Sequence, residues 1–86
     1  MSQNLITVIV KLFAAYQEAY DTSELKLKLP EKTPVKTVLE YLVKEKPQLE
    51  KWRNLTRFGV NLQVVDSDTL LKDGDEVVLI PPVSGG

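Results

Sequence analysis

The chain has 86 residues, 43% hydrophobic and 27% charged, with a formal net charge of −1, a composition that fits one small globular domain with a modest core. It contains neither cysteine nor histidine, which removes disulfides, thiol nucleophiles, zinc and iron–sulfur ligation, and the commonest general base at neutral pH. The near-neutral charge argues against non-specific nucleic-acid binding, and no apolar run approaches membrane-spanning length, so the expected setting is the cytoplasm, with no metal site and no membrane or nucleic-acid partner.

Taken in order, Leu5-Ile6-Thr7-Val8-Ile9-Val10-Lys11-Leu12 is rich in β-branched residues and predicts the first strand. One face of it (Ile6, Val8, Val10, Leu12) is wholly apolar and the other is mixed, as for a sheet packed on one side. Phe13 to Tyr20 holds helix-favouring alanines and a Tyr16/Tyr20 pair at i,i+4 spacing, and predicts a loop with a short helical turn. Glu24-Leu25-Lys26-Leu27-Lys28-Leu29 alternates strictly. It predicts a strand with leucines inward and lysines in water, where the lysines also discourage edge-to-edge pairing.

Thr33 and Pro34 read as an N-cap and a first helical residue. Val35, Val38, Leu39, Leu42 and Val43 then form one apolar helical stripe, and Pro47 ends it. Off the stripe, Glu40 and Lys44 are spaced for an i,i+4 ion pair. Leu49 and Trp52 sit at i,i+3 in a second helical turn folding back over the core, with Trp52 as a core or lid residue rather than a ligand platform. Thr56 to Val60 and Gln63-Val64-Val65 predict short strands joined by a turn at Asn61-Leu62. Leu70 and Leu71 are expected to plug the core ahead of Lys72-Asp73-Gly74-Asp75, a turn with glycine where φ is positive.

The chain closes on Glu76-Val77-Val78-Leu79-Ile80-Pro81-Pro82-Val83-Ser84-Gly85-Gly86. The apolar run is a strand, and the two prolines, which cannot donate to a ladder, end its pairing near Ile80. They also favour a stiff, extended exit. The division expected is a domain over residues 1–80 and a tail over residues 81–86, which spans about 20 Å when fully extended. Paired glycines make a thin strip of backbone tipped by a carboxylate, able to enter a tunnel that any side chain would block. A bare Gly-Gly end also fits a frayed terminus; the strand and proline brake before it favour the functional reading. After Leu62 the chain carries five acids and one base. They form either an acidic surface near the tail that steers a basic partner or a set of solvated turn-forming aspartates.

One amphipathic helix on one face of a mixed sheet is the economical packing for this set, an α+β fold. The first and last strands are the most apolar and are separated by a helix, so they are expected side by side, central and parallel. That arrangement is the ubiquitin-like β-grasp.

Residues Val10-Lys11-Leu12-Phe13-Ala14, Gly59-Val60-Asn61, Leu71 to Val77 and Ile80 to Gly86 resemble the small subunit of molybdopterin synthase, most specifically in Asp-Gly-Asp-Glu-Val and Pro-Pro-Val-Ser-Gly-Gly. The resemblance implies a sulfur carrier. A ubiquitin-activating-like adenylyltransferase would adenylate Gly86 with ATP, and a sulfur donor protein would leave a thiocarboxylate there. The tail would then enter the large subunit and give sulfur to a cyclic pyranopterin phosphate, with acid–base residues supplied by that subunit and no cofactor bound by this one. The resemblance also places a partner-binding apolar patch at Phe13, Val64 and Ile80. Pro81 and Pro82 would aim the tail, while Val83 and Ser84 would pack along the partner's channel ahead of Gly85. Strand alternation independently turns Val78 and Ile80 away from the helix. Three other readings share the features: a carrier for thiamine synthesis or tRNA thiolation, a ubiquitin-like modifier joined to lysines, and a β-grasp interaction domain with an idle tail. A ferredoxin-type β-grasp is excluded by the missing cysteines.

Overall fold

The computed structural model describes residues 4–82. Its elements run β1 (Leu5–Lys11), α1 (Ala14–Tyr20), β2 (Glu24–Pro30), α2 (Lys36–Glu45), a 3-10 helix (Pro47–Trp52), β3 (Arg57–Val60), β4 (Gln63–Val65) and β5 (Glu76–Ile80). The sheet order is β2-β1-β5-β3-β4. β5 lies at the centre, parallel to β1 and antiparallel to β3. The most apolar strands are thus adjacent and parallel, and the arrangement is the expected β-grasp.

Burial follows the side-chain alternation. Ile6, Val8, Val10 and Leu12 of the first strand and its exit are buried, and Val77 and Leu79 of β5 are fully so. The helical stripe Val35, Val38, Leu39, Leu42 and Val43 packs against them in one core with Leu49 and Leu71. Trp52 is half-buried against that core. At the β2 edge, Lys26 and Lys28 are exposed and Leu29 is buried, so the charged residues face solvent on a strand with an open side.

Four local expectations give way to tertiary context. Residues 14–20 form a full helix rather than a single turn, because Tyr16 drops its ring into the core with no exposed surface. Its hydroxyl is hydrogen-bonded to Thr56, which in turn donates to the Trp52 carbonyl at 2.8 Å. Thr33 does not cap α2. Pro34 bridges Leu70 in an extended pair, with Val35 N donating to Thr69 and Leu71 N donating to Thr33, so helix formation is delayed to Lys36. The Thr33 hydroxyl turns back to the Pro30 carbonyl instead. Of the Leu70-Leu71 pair, only Leu71 enters the core; the extended bridge sends Leu70 outward, where it is 52% exposed. Glu40 pairs with Arg53 at 3.2 Å, because the 3-10 helix brings that guanidinium back alongside α2.

The turns follow backbone chemistry. Gly74 sits at φ 85°, where a side chain would be strained. Asn61 and Leu62 both have positive φ, 51° and 72°, the sign pattern of a type I′ hairpin whose twist matches its strands.

Candidate functional site

The site is built around the end of β5. Val77 and Leu79 point into the core, so alternation puts Val78 and Ile80 on the opposite face of the sheet, half-exposed. Pairing then fixes their neighbours. Lys11, Val78, Gly59 and Val64 form one row across β1, β5, β3 and β4, and Arg57 stands opposite Ile80. Phe13 lies two residues beyond Lys11, with extended dihedrals of −132° and 155°. Continuing the parallel register by two residues brings it level with Ile80. It is 51% exposed and Val64 is 69% exposed.

Phe13, Val64 and Ile80 therefore share one face at one end of the sheet, joined by Val78. Gly59 lies between them. A Cβ there would be in ordinary contact with its neighbours, 3.6 Å from Val78 Cβ and 3.8 Å from Ile80 Cδ1, so these side chains flank the strand at that point. Exposed apolar groups gathered this way form the kind of surface that proteins bury against a partner.

The exit of β5 lies beside this surface. Pro81 and Pro82 are half-buried and line a groove with Leu55, Arg57 and Ile80. Val83, Ser84, Gly85 and Gly86 lie outside the described residues. Leu55 and Arg57 escaped sequence reading; the available signal was Arg57 preceding the inward Phe58, which by alternation turns the guanidinium to the outer face. Val78 was visible in the same alternation.

The acids are placed differently from the tail-side surface that their sequence position allowed. Asp73, Asp75 and Glu76 stand at the start of β5, a strand length from the exit. They hold the preceding turn. Asp73 accepts from Thr7 N at 2.8 Å, and Asp75 accepts from Lys72 N at 2.8 Å and from Asn61 Nδ2 at 2.9 Å. Asn61 completes the lock by accepting from Glu76 N. Asp68 pairs with Lys36 on α2. For Asp73 and Asp75 the turn-forming reading prevails.

Beside the patch, Lys11 Nζ donates to Glu24 at 2.9 Å. This hydrogen bond and its charge attraction raise the Lys11 pKa and lower that of Glu24. Burial raises the Tyr16 pKa, so that phenol stays neutral. Among the described residues no group of three acids is placed to hold a metal, and no helix is long and apolar enough to cross a membrane. What remains is an exposed apolar face beside the exit of the last strand.

Comparison with known proteins fits this geometry. The ThiS family model matches residues 10–86. The molybdopterin synthase sulfur carrier subunit of Mycobacterium tuberculosis is 34% identical over 83 residues, covering 95% of this chain and 100% of the relative. Its Arabidopsis thaliana counterpart is 31% identical over 81 residues, covering 94% and 84%. Among solved structures, the putative molybdopterin converting factor subunit 1 of Pyrococcus furiosus has a TM-score of 0.77 at 29% identity, covering 91% of this chain and 99% of that one. The small archaeal modifier protein 1 of Methanosarcina acetivorans has a TM-score of 0.75 at 32% identity, covering 96% and 99%. A Helicobacter pylori chain, solved as a complex of subunits 1 and 2 of molybdopterin-converting factor, has a TM-score of 0.64 at 28% identity, covering 94% and 100%. The chain belongs to the ThiS family, alongside the sulfur carrier subunits of molybdopterin synthase.

Proposed function

We propose that this chain carries sulfur on its Gly86 terminus and delivers it, within a molybdopterin synthase, to a cyclic pyranopterin phosphate. The observation that carries the reading is the join between patch and tail. The central strand ends at Ile80 in the middle of an exposed apolar face and hands the chain directly to two prolines and Val83-Ser84-Gly85-Gly86. A partner that grips Phe13, Val64, Val78 and Ile80 is thereby in place to receive the terminus. The related subunit pair of Helicobacter pylori supports a large subunit as that partner.

The chemistry assigned to the tail follows from the carboxylate. A carboxylate is a poor electrophile until one oxygen becomes a good leaving group. An adenylyltransferase supplies this when a Gly86 oxygen attacks the α-phosphorus of ATP and pyrophosphate leaves. Hydrosulfide-level sulfur from a donor protein then attacks the acyl carbon, and AMP departs. The resulting thiocarboxylate is ionised at neutral pH and is a soft nucleophile. In the large subunit its sulfur attacks a side-chain carbon of the pterin as a carbon–oxygen bond there breaks and the oxygen leaves, as a phosphate oxygen or as water. Water then attacks the Gly86 acyl carbon and cleaves its C–S bond, restoring the carboxylate and leaving a thiolate on the pterin. Two such deliveries build a dithiolene. The acid–base groups belong to the partner, because this chain has neither histidine nor cysteine.

The test is the intact mass of protein incubated with ATP, the adenylyltransferase and a sulfur donor. The expected result is a gain equal to exchange of one oxygen for sulfur, lost again on incubation with the large subunit and the pterin. An unchanged mass overturns the reading. The likeness to small archaeal modifier protein 1 favours one other outcome, Gly86 joined to lysines of other proteins, which would make the chain a modifier.

A further inference from the structure

The groove at the β5 exit holds one group that sulfur chemistry does not use. Arg57 is exposed and stands opposite Ile80 in the antiparallel register. The next residue, Phe58, is 7% exposed and faces the core, so Arg57 projects on the same face as the apolar patch. Its groove neighbours Leu55, Ile80, Pro81 and Pro82 are all apolar. The ion pairs among the described residues join Lys11 to Glu24, Lys36 to Asp68, and Arg53 to Glu40 and Glu50; Arg57 is in none of them. A cation standing among apolar side chains, beside the point where the chain leaves the fold, is placed to be covered by whatever receives the tail.

We infer that Arg57 is a partner-recognition residue that takes a carboxylate, from an aspartate or glutamate at the mouth of the large subunit's tail channel. This rests on the sulfur-carrier reading above and specifies the chemistry of its interface. Two anions compete for the assignment, a protein carboxylate and a phosphate of nucleotide or pterin. Reach separates them. Gly86 lies four residues beyond Pro82, about 13 Å along a chain extended in a tunnel, while an arginine side chain spans roughly half that. A phosphate reacting at Gly86 is therefore beyond the guanidinium, whereas the channel rim that closes over Pro81 and Pro82 lies against it. The carboxylate also suits the site because a planar guanidinium binds it bidentately. It strengthens as Leu55 and Ile80 exclude water from the pair.

The experiment is calorimetric titration of the large subunit with the full chain and with R57Q, R57E and R57K, at low and physiological salt, with thermal stability measured alongside. R57Q is expected to bind roughly tenfold more weakly, as for loss of a charge-assisted hydrogen bond. R57E is expected to bind more weakly still, and R57K to recover part of the loss. The salt dependence of wild-type binding is expected to shrink in R57Q, while every variant keeps the wild-type melting temperature. R57E binding as tightly as wild type would overturn the assignment and leave the carrier reading standing. A phosphate role would appear as normal binding of R57Q to the large subunit with slowed adenylation of Gly86, and it too overturns the assignment. Wild-type protein that does not bind the large subunit at all would overturn the carrier reading itself.

Discussion

Ile80 ends the central strand and, in the proposed function, begins the partner face. Its backbone still pairs with Arg57 while its side chain lies on the outer face, against Gly59 and beside Val78. Ile80→Lys places a charge where a partner must be dry, so affinity for the adenylyltransferase and for the large subunit is expected to fall at least about tenfold. The melting temperature should hold, because the core-facing residues of β5 are Val77 and Leu79; binding at wild-type strength would remove Ile80 from the patch. Leu62 tests the fold separately. A leucine at φ 72° occupies a region that costs about 1–2 kcal/mol for residues with a Cβ, and its side chain is 91% exposed and makes no compensating core contact. Leu62→Gly is therefore expected to stabilise by up to about 1 kcal/mol, after the extra entropy glycine brings to the unfolded chain. Chemical denaturation should show a higher midpoint at unchanged slope. The residues of the proposed partner face were legible in unequal measure. Ile80 and Val78 follow from alternation alone, whereas Phe13 and Val64 came from resemblance and needed the register to bring them to one face. Alternation beside Phe58 could have turned Arg57 to the outer face, but nothing in sequence says that it stands across from Ile80.

Among the elements, the apolar periods carried the reading and the polar signals misled it. The stripe of α2 and the faces of β1, β2 and β5 need only hydrophobic spacing, and burial decides them. Glu40 had a sound local partner and took a distant one, and Thr33 and Leu70 were drawn out of their expected places, because the Pro34–Leu70 bridge and the returning 3-10 helix are contacts of long sequence separation. The turn before β5 shows the same competition resolved by side chains. Asp75→Ala removes acceptors for both Lys72 N and Asn61 Nδ2, and the expected loss is about 1–2 kcal/mol of stability. No effect on the denaturation midpoint would mean that backbone bonds such as Gly74 N to Thr7 O suffice. The pair between β1 and β2 sets a pH window. Glu24 has its pKa lowered by Lys11, so its share of stability is present above the ordinary carboxylate range and is lost as pH falls through the depressed value. Lys11 is raised, so its share is present at neutral pH and is lost as pH rises through the raised value. Carbon chemical shifts of Glu24 should titrate below the ordinary range, and Lys11→Met should return them to it.

At the scale of the whole molecule, the proposed function assigns two quantities to different parts of the chain: the sheet face would set where a partner grips, and the residues after Ile80 how far the terminus reaches from that grip. These two quantities should be separable. The expectation that the tail stands outside the domain is tested by removing residues 83–86: the melting temperature should stay within about 1 °C, in line with the small effect of changes outside a core. Lengthening the tail is the sharper test. Two glycines inserted between Pro82 and Val83 leave Phe13, Arg57, Val64, Val78 and Ile80 untouched, so the grip on the large subunit through the sheet face should survive. The terminus, however, overshoots by about 7 Å. A reaction that needs its atoms within roughly 3–3.5 Å tolerates no such error, and losses of about a hundredfold follow from displacements of only 1 Å. Single-turnover sulfur transfer from the pre-thiolated insertion variant should therefore drop at least a hundredfold while binding changes little. If transfer survives the insertion, the terminus finds its target without being positioned from the sheet. The patch and the exit of β5 would then be neighbours without being a device.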